Sequence, residues 1–485
     1  MLKLIFVLLA AALLAAGPVN AQTLQLDDCR ISAGNGAQSM KARCGTLLRP
    51  LDPSGSVAGN IELRVVVVPA LNLTPETDPL VPIAGGPGQG SVDFYTAYSW
   101  AFEDVRRNRD ILLIDQRGTG ESATMKCEFD EDLVIGEYSN ELTIKYTRQC
   151  LDELPHDPRF FTTSVAVTDI EAVREALAYP TLNLYGISYG SRVAQHFVRR
   201  YPGSTRTVTI DGVVPPQLSL GPEIATESQR AVDKILSRCM EDEACNERFP
   251  KIDEVFARIV AEIKEAPKPI QVPNPSSGRL EDIDFGESEL AGAIRLLAYH
   301  PNSIALMPLL IHEAGEGNYV PLGSQFMMTM VAMSESLSLG MHNAVMCTED
   351  VPFYDPTTID YEGLAASYMG TVQLEALEAI CSVWPEGPLD DAFKVPLETD
   401  IPVLLLSGDA DPITPPRYAD LAAVDLGNAT HLVGKNQGHG QISVGCTPRL
   451  VAEFIKTADP QALDSECLQR SFVMPYFLDF SGPNP

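Results

Sequence analysis

The sequence predicts an α/β fold in which a mostly parallel sheet carries helices on both faces and a helical cap interrupts the core. Short apolar strands alternate with segments of helical periodicity up to about residue 214, and this alternation resumes at about residue 396. Between these points the chain shows helical patterns and Pro-rich connectors. A third observation is Gly186-Ile-Ser-Tyr-Gly190 after a mostly apolar run, which is typical of a tight strand-to-helix turn.

The predicted segment boundaries follow these changes of pattern. We expect a signal peptide at residues 1–21, the first part of the core at 22–214, the helical cap at 215–395 and the second part of the core at 396–485. A chain of 485 residues is long enough for one large core with such an insertion. Because insertions at strand ends lie where ligands bind, the cap is expected to cover the site.

Strands are assigned from short apolar runs, and helices from apolar residues at helical spacing. In the first part of the core, strands are predicted at 61–69, 79–84, 111–115, 181–185 and 207–210, and helices at 100–109, 165–178 and 191–201. The cap is predicted to hold helices at 227–240, 252–263, 287–299 and 364–380, with no convincing buried strand. In the second part, strands at 401–407 and 429–433 precede a helix at 449–457.

The first residues have the pattern of a secretory signal peptide. Lys3 precedes an unbroken apolar run at 4–16, and Val19-Asn20-Ala21 forms a small-residue cleavage site. A membrane anchor is the alternative, but it needs about twenty apolar residues, and this run is shorter and ends at Gly17-Pro18. We therefore expect a periplasmic or extracellular protein that is free of the membrane after cleavage.

The cysteines agree with export to an oxidising compartment. All ten lie after the predicted signal peptide, and an even number favours disulfides. Their positions form five successive close pairs, although connectivity cannot be proved from sequence. The predicted bridges are Cys29 with Cys44, Cys127 with Cys150, Cys239 with Cys245, Cys347 with Cys381, and Cys446 with Cys467.

The charge balance argues against two classes of partner. With 65 acidic and 35 basic residues the formal net charge is −30, so nucleic acid and anionic membranes are not expected to bind. The acidic surface either keeps an exported protein in solution or attracts cationic and amino-terminal substrates. No C-x-x-C or His cluster indicates zinc, so neither a metal nor another cofactor is expected.

Three residues in the order Ser, Asp, His form a candidate catalytic set. Ser188 lies at the centre of the glycine-flanked turn, and this fold class places its acid and base after two later strands. Asp411 is preferred as the acid because Pro-Ile-Thr-Pro follows it, and Asp409 on the same loop is the alternative. His439 lies in the loop Asn436-Gln-Gly-His-Gly440 after the last strand, and we expect it to be the base.

Stabilisation of an oxyanion requires two backbone N–H donors. The first is expected at Tyr189, directly after the nucleophile. The second is expected at Gly86 in Gly85-Gly-Pro-Gly-Gln-Gly90, which follows a predicted strand. A phosphate-binding loop would need Lys-Ser or Lys-Thr after the glycines, and none is present.

These motifs together resemble the α/β-hydrolase peptidases of the prolyl iminopeptidase and tripeptidyl aminopeptidase group. The resemblance covers about residues 45–470. Two segments of the cap, Cys239 to Cys245 and Cys381-Ser-Val-Trp384, are similar to the secreted tripeptidyl aminopeptidase branch. It also rests on the motifs Gly85-Gly-Pro-Gly, Asp115-Gln-Arg-Gly-Thr-Gly-Glu-Ser122, Gly408 to Pro415 and Gly438-His-Gly440. One departure is Ala84, where prolyl iminopeptidases usually have His, and it weakens a strict prolyl specificity.

The resemblance implies an α/β-hydrolase fold and a serine exopeptidase that removes residues from peptides with a free N terminus. Such an enzyme holds an ammonium group with carboxylates. Glu349 and Asp350 are the candidates, with a pair of solvated loop acids as the alternative. Trp384 is expected either to line the pocket or to pack the cap. The rival function is a secreted carboxylesterase or lipase, which would use the same three residues.

Overall fold

The computed structural model describes residues 24–32, 39–127, 139–471 and 473–482. The predicted signal peptide at 1–21 lies outside the described residues. No helix within the described ranges has both the length and the apolar character needed to cross a membrane.

A large sheet forms the centre of the structure, and its strands match the predicted ones closely. In chain order the strands of this sheet are β1 (Asp27–Ser32), β2 (Ser39–Pro50), β3 (Asn60–Val68), β4 (Leu80–Ile83), β5 (Ile111–Ile114), β6 (Leu182–Ile187), β7 (Thr205–Asp211), then β10 (Val403–Gly408) and β11 (Ala429–Gly434). Their spatial order is β1-β2-β3-β5-β4-β6-β7-β10-β11. From β5 to β11 neighbouring strands are parallel, whereas β1, β2, β3 and β5 pair antiparallel.

The first two strands, β1 and β2, were not predicted from the sequence. Most of their residues are exposed or half-buried, so they carry no continuous apolar run of the kind that marked the central strands. They form an antiparallel pair at one edge of the sheet, in which Asp27 lies opposite Cys44. Their position is set by pairing with β3 rather than by a local pattern.

Helices cover both faces of the sheet. The core helices are α1 (Ser91–Tyr98), α2 (Glu103–Arg106), α3 (Asn140–Glu153), α4 (Thr163–Ala176) and α5 (Tyr189–Arg200), and after the cap α15 (Pro416–Ala423) and α16 (Thr447–Thr457). Val65 and Val67 share a core cluster with apolar residues of α4 and α5. Val66 and Val68, which point to the other face, share one with residues of α1 and α16. The predicted α/β fold with helices on both faces is confirmed.

Between β7 and β10, all residues are described and none adds a strand to the large sheet. This interval contains α6 (Ile224–Glu241), α7 (Glu243–Arg248), α8 (Ile252–Glu265), α9 (Glu287–Leu297), α10 (Pro301–Gly315), α11 (Val320–Ser336), α12 (Leu339–Val345), α13 (Tyr361–Ala366) and α14 (Val372–Cys381). All of these helices except α12 contribute to one hydrophobic cluster, which includes Phe249, Ile259 and Leu297, whereas the apolar residues of α12 belong to the cluster of the core. We refer to residues 215–395 as the cap.

The cap differs from the prediction in three ways, the first being that the helices α7, α10, α11 and α12 were not predicted. It contains an antiparallel hairpin, β8 (Lys268–Pro273) with β9 (Leu280–Phe285), which was missed because most of its side chains are exposed and only alternate residues such as Val272 and Ile283 are buried. The single helix predicted at 364–380 is two helices, α13 and α14. Ser367 ends α13 in an extended conformation with φ −70° and ψ 163°, and Gly370, with φ +59°, lies in the turn before α14.

Five disulfides join neighbouring cysteines in the chain, and the predicted pairing is confirmed. The bridges are Cys29–Cys44, Cys127–Cys150, Cys239–Cys245, Cys347–Cys381 and Cys446–Cys467. No free cysteine remains among the described residues. Cys347–Cys381 ties the turn after α12 to α14, so it fixes the part of the cap that faces the candidate site.

Candidate active site

Ser188 occupies a strained turn between β6 and α5. Its backbone has φ +55° and ψ −126°, a conformation that residues with a side chain rarely adopt. The flanking glycines allow the close backbone contacts of this turn. A Cβ on Gly186 would lie 2.2 Å from the Gly190 carbonyl oxygen, and one on Gly190 would lie 2.3 Å from the Ile83 carbonyl oxygen. The turn predicted from Gly186-Ile-Ser-Tyr-Gly190 is present in the structure.

His439 and Asp411 are joined on the two loops that follow β10 and β11. His439 Nδ1 lies 2.8 Å from Asp411 Oδ2, and Asp411 Oδ1 accepts the backbone N–H groups of Ile413 and Thr414, each at 2.9 Å. The Thr414 hydroxyl donates to Asp411 Oδ2 at 2.8 Å. Asp409, the alternative acid, is turned away and accepts from the backbone N–H of Asn436 at 2.6 Å.

The cap holds the histidine loop in place. The backbone N–H of His439 donates to the backbone carbonyl of Tyr299 at 2.7 Å. The Tyr299 ring packs edge-on against the imidazole of His439, with ring centroids 5.0 Å apart. Gly438 approaches the same carbonyl so closely that a Cβ would lie 2.4 Å from its oxygen. The glycines around His439 therefore serve a close approach to the cap.

Burial and the contact between Asp411 and His439 together determine the pKa of each group. Burial raises the pKa of Asp411, but the His439 charge and the hydrogen bonds outweigh it and hold the pKa below its ordinary value. Burial lowers the pKa of His439, but the Asp411 charge and hydrogen bond outweigh it and raise the pKa above its ordinary value. Behind the loop, burial raises the pKa of Asp211 to about 6, and this carboxyl accepts the backbone N–H groups of Gln441 and Ile442.

Ser188 opens into a small cavity of about 70 Å³ beneath the cap. Its walls combine apolar side chains with a few polar ones, among them Arg295, His342 and Gln373, and no Asp or Glu is among the described residues that line it. Within the described chain no hydrogen bond joins the Ser188 hydroxyl to the His439 ring. Such bonds often form only when a substrate is present.

The two expected oxyanion donors lie beside the serine. Tyr189 is the first residue of α5, where a backbone N–H has no partner within the helix. The Gly85 backbone passes so close to Ser188 that a Cβ would lie 2.9 Å from the serine Cβ. Gly86 follows with φ +107° and lines the same cavity, and no acceptor for its N–H is found in the described chain. Both amides are thus available for a ligand.

Glu349 and Asp350 are both fully buried, so the alternative of solvated loop acids is wrong. Glu349 accepts the Thr163 N–H at 2.6 Å and the Thr163 hydroxyl at 2.9 Å, and burial raises its pKa to about 7. Asp350 forms a two-point ion pair with Arg192, both bonds measuring 2.8 Å, and accepts the Leu220 N–H at 2.8 Å. Neither residue lines the cavity at Ser188. Their expected role as ammonium anchors stays a prediction.

Trp384 and the segment Asp115-Gln-Arg117 make contacts that support the fold. Trp384 is 4% exposed and belongs to the main core cluster, so of its two expected roles the structure favours packing. Asp115 accepts the backbone N–H of Val92 at 3.0 Å. Arg117 is fully buried and makes a two-point ion pair with Asp169 at 2.7 and 3.0 Å. These contacts brace the loops around the sheet edge.

Sequence reasoning missed several groups that shape the site. Arg192, Arg295, Tyr299 and Thr414 were not singled out, although each contacts a candidate residue or lines the cavity. Arg295 lies in the last turn of α9 and Tyr299 lies two residues after its end, and their i,i+4 spacing is one that places two residues on one side of a helix. That spacing was the available signal, but it does not tell which side faces the serine.

A serine on a strained strand-to-helix turn, with an Asp–His pair on later loops of a mostly parallel sheet, defines the class of α/β hydrolases. Residues 78–234 match the family model described as alpha/beta hydrolase fold, and residues 366–467 match the one described as TAP-like protein. The chain belongs to the α/β hydrolases, and the resemblance stated from its motifs is confirmed.

Several individual curated proteins are similar to this chain in sequence. The chain is 25% identical over 450 residues to the serine protease Hip1 of Mycobacterium tuberculosis (strain H37Rv), covering 85% of this chain and 84% of that protein. It is 27% identical over 213 residues to the putative hydrolase YuaR of Escherichia coli (strain K12), covering 41% and 42%. It is 25% identical over 215 residues to the tripeptidyl aminopeptidase of Streptomyces coelicolor, covering 39% of each. The matches to YuaR and to the aminopeptidase thus span less than half of those proteins.

Proposed function

We propose that this hydrolase is an exported serine exopeptidase that releases residues or short peptides from peptides with a free N terminus. The observation that carries the proposal is the buried Asp411–His439 pair, 2.8 Å apart, on the loops that follow the strands after the Ser188 turn. The names of two relatives, a serine protease and a tripeptidyl aminopeptidase, support peptides as the substrate class.

In the proposed reaction the Ser188 oxygen attacks the peptide carbonyl carbon, and its proton passes to His439 Nε2. Asp411 keeps the other ring nitrogen protonated and stabilises the imidazolium. The N–H groups of Gly86 and Tyr189 receive the oxyanion. His439 then gives its proton to the leaving amine as the C–N bond breaks, which leaves an acyl-enzyme. Water, deprotonated by His439, hydrolyses the ester and regenerates Ser188.

The requirement for a free amine is tested with matched substrates. We expect aminoacyl and tripeptidyl anilides to be hydrolysed with higher kcat/KM than their N-acetylated forms, because an exopeptidase uses the terminal ammonium for binding. The measurement is kcat/KM for each pair at one pH. Equal rates on free and acetylated anilides, together with rapid ester hydrolysis, would overturn the proposal.

A carboxylesterase is the second candidate, and one observation favours it. The cavity at Ser188 is largely apolar, and no carboxylate is among its described lining residues. An ester needs no ammonium anchor, whereas an N-terminal amine is best held by a carboxylate. Short-chain esters assayed beside the anilides separate the two functions, since an esterase would cleave the esters and leave every anilide intact.

The pH profile follows from the raised pKa of His439. The imidazole accepts a proton only when neutral, so kcat/KM is expected to fall as the pH drops through a pKa above the ordinary 6.5, by about tenfold per pH unit below it. The measurement is kcat/KM for an anilide between pH 5 and 9. His156→Gln serves as a control, because this histidine lies outside the cavity and should leave the acidic limb unchanged. An acidic limb that responds to His156→Gln would contradict the assignment of His439.

Export is proposed from the sequence and agrees with the five disulfides, since such bonds persist in oxidising compartments. We expect the secreted or periplasmic form to begin at Gln22, after the predicted cleavage site. N-terminal sequencing of the protein from each cell fraction measures this. An intact Met1 on protein that stays in the membrane fraction would show that the apolar run is an anchor.

A further inference from the structure

Arg295 places a positive charge in the cavity of Ser188. It lies on α9 and lines the cavity together with Ser188 and His342. Among the described residues its guanidinium is bound only by neutral groups, since Nη1 donates to Gln373 Oε1 at 3.0 Å and Nη2 donates to the Tyr299 hydroxyl at 3.3 Å. Its Nε is buried and has no hydrogen-bond partner among the described residues. Nη1 and Nη2 each carry a second N–H for which no partner is found among the described residues, so the guanidinium keeps capacity to bind an anion.

Arg295 is half-buried, and two fully buried arginines of this chain have different partners. Arg117 and Arg192 are almost fully buried, and each makes a two-point ion pair with an aspartate, Asp169 and Asp350 respectively. The chain has 65 acidic residues against 35 basic ones, so carboxylates are abundant. A buried donor without an acceptor costs free energy, and a guanidinium prefers a carboxylate as its partner. A carboxylate supplied by the substrate would give the Arg295 guanidinium both an acceptor and its preferred kind of partner.

Arg295 is also close to the reacting groups. Its partner Tyr299 packs against the His439 ring, with centroids 5.0 Å apart. Burial lowers the pKa of His342 and the positive charge of Arg295 adds to this, whereas at His439 the Arg295 charge opposes the larger effect of Asp411, which raises the pKa. An anionic group bound by Arg295 would thus belong to the part of the substrate next to the attacked carbonyl.

We propose that Arg295 binds a carboxylate of the substrate next to the scissile carbonyl, so that the enzyme prefers acidic substrates. This inference rests on the proposed hydrolysis at Ser188, but not on whether the bond cleaved is a peptide or an ester. The carboxylate is either an Asp or Glu side chain in the acyl part or the C-terminal carboxylate of a short peptide. Both sources present the same planar group to the guanidinium.

The test compares isosteric substrates on the wild-type protein and on Arg295→Gln. Free-amine anilides ending in Glu or Gln before the anilide report on the side chain, and tripeptides with a free or amidated C terminus report on the terminal carboxylate. p-Nitrophenyl hemiglutarate against the valerate ester reports on acyl carboxylates without a peptide bond. For one of these pairs we expect the wild type to favour the acidic member by roughly 10- to 100-fold in kcat/KM, and Arg295→Gln to remove the preference.

Controls separate recognition from support of the histidine loop. Arg148→Gln, an exposed arginine of α3, should keep the wild-type ratio, and Arg295→Lys should keep part of it because the charge remains. A wild-type ratio near one for every pair would overturn the inference even if Arg295→Gln did not fold. So would an Arg295→Gln variant that loses activity equally on both members of a pair. If anilides resist cleavage and the esters show the preference, the peptidase proposal fails and this inference stands.

Discussion

Replacing Ser188 by alanine is expected to reduce kcat/KM by about a thousandfold or more, equivalent to on the order of 4 kcal/mol of transition-state stabilisation. The substitution removes the only atom that forms the acyl-enzyme bond in the proposed reaction. It keeps the Cβ, so the turn with φ +55° faces the same strain as before. The measurement is kcat/KM on an anilide or ester, with thermal unfolding to show that the fold is unchanged.

The matched control is Ser56→Ala, which removes an exposed hydroxyl in the turn between β2 and β3. This variant should retain wild-type activity and unfold at nearly the same temperature. Activity retained by Ser188→Ala would show that another residue is the nucleophile. A Ser188→Ala variant that is inactive and also unfolded would leave the Ser188 assignment without support, and covalent labelling of the wild-type Ser188 by an organophosphate would then decide it, with absence of label contradicting the assignment.

Replacing Asp350 by asparagine is expected to lower the free energy of unfolding by about 3–5 kcal/mol. Asp350 and Arg192 are at most 1% exposed in their side chains, and the substitution leaves the guanidinium with only the more distant Glu349 carboxylate, at 3.9 Å, among the described residues. Asp350 also accepts the N–H of Leu220, whose side chain lines the Ser188 cavity. The measurement is chemical unfolding of the wild type and the variant at the same pH, with substrate KM measured on the folded fraction.

The control for this prediction is Glu254→Gln, which breaks an exposed ion pair with Lys251. Exposed pairs are worth about 0–1 kcal/mol, so this variant should stay close to the wild type. A double variant, Arg192→Met with Asp350→Leu, should recover part of the lost stability because both charges of the two-point pair are then removed together, while Glu349 and Lys394 stay in place beside them. An Asp350→Asn variant of unchanged stability that binds free-amine peptides less tightly would contradict the bracing role and support the ammonium anchor.

Local patterns were sufficient for the central elements of the fold. β3 to β7, β10 and β11 are short apolar strands, and α4, α5 and α16 carry their apolar residues at helical spacing, so each is visible within a few residues of sequence. The disulfide pairing was equally local, since the bridged cysteines are only 6 to 34 residues apart. Edge elements such as β1, β2 and the β8–β9 hairpin were missed because their side chains are mostly exposed.

In the candidate site too, some features were predictable from local sequence and others were not. The Gly-Ile-Ser-Tyr-Gly turn could be predicted because the two glycines that its close backbone contacts require lie within five consecutive residues. The choice between Asp411 and Asp409 needed the structure, since two carboxylates on one loop differ only in direction. The burial of Glu349 and Asp350 could not be foreseen either, because the partner Arg192 is 158 residues from Asp350 in the chain.

By itself, the sequence determined the α/β sheet, the strained turn at Ser188, the chain order of serine, acid and histidine, and the disulfide pairs, because each depends on periodicity, glycine sterics or short chain separation. Only the tertiary structure decided what surrounds Ser188. The cap brings Tyr299 against His439 and places Arg295 in the cavity, where no carboxylate of the described residues pairs with it. Such contacts join segments that are far apart in the chain, and no local pattern encodes which of their faces meet.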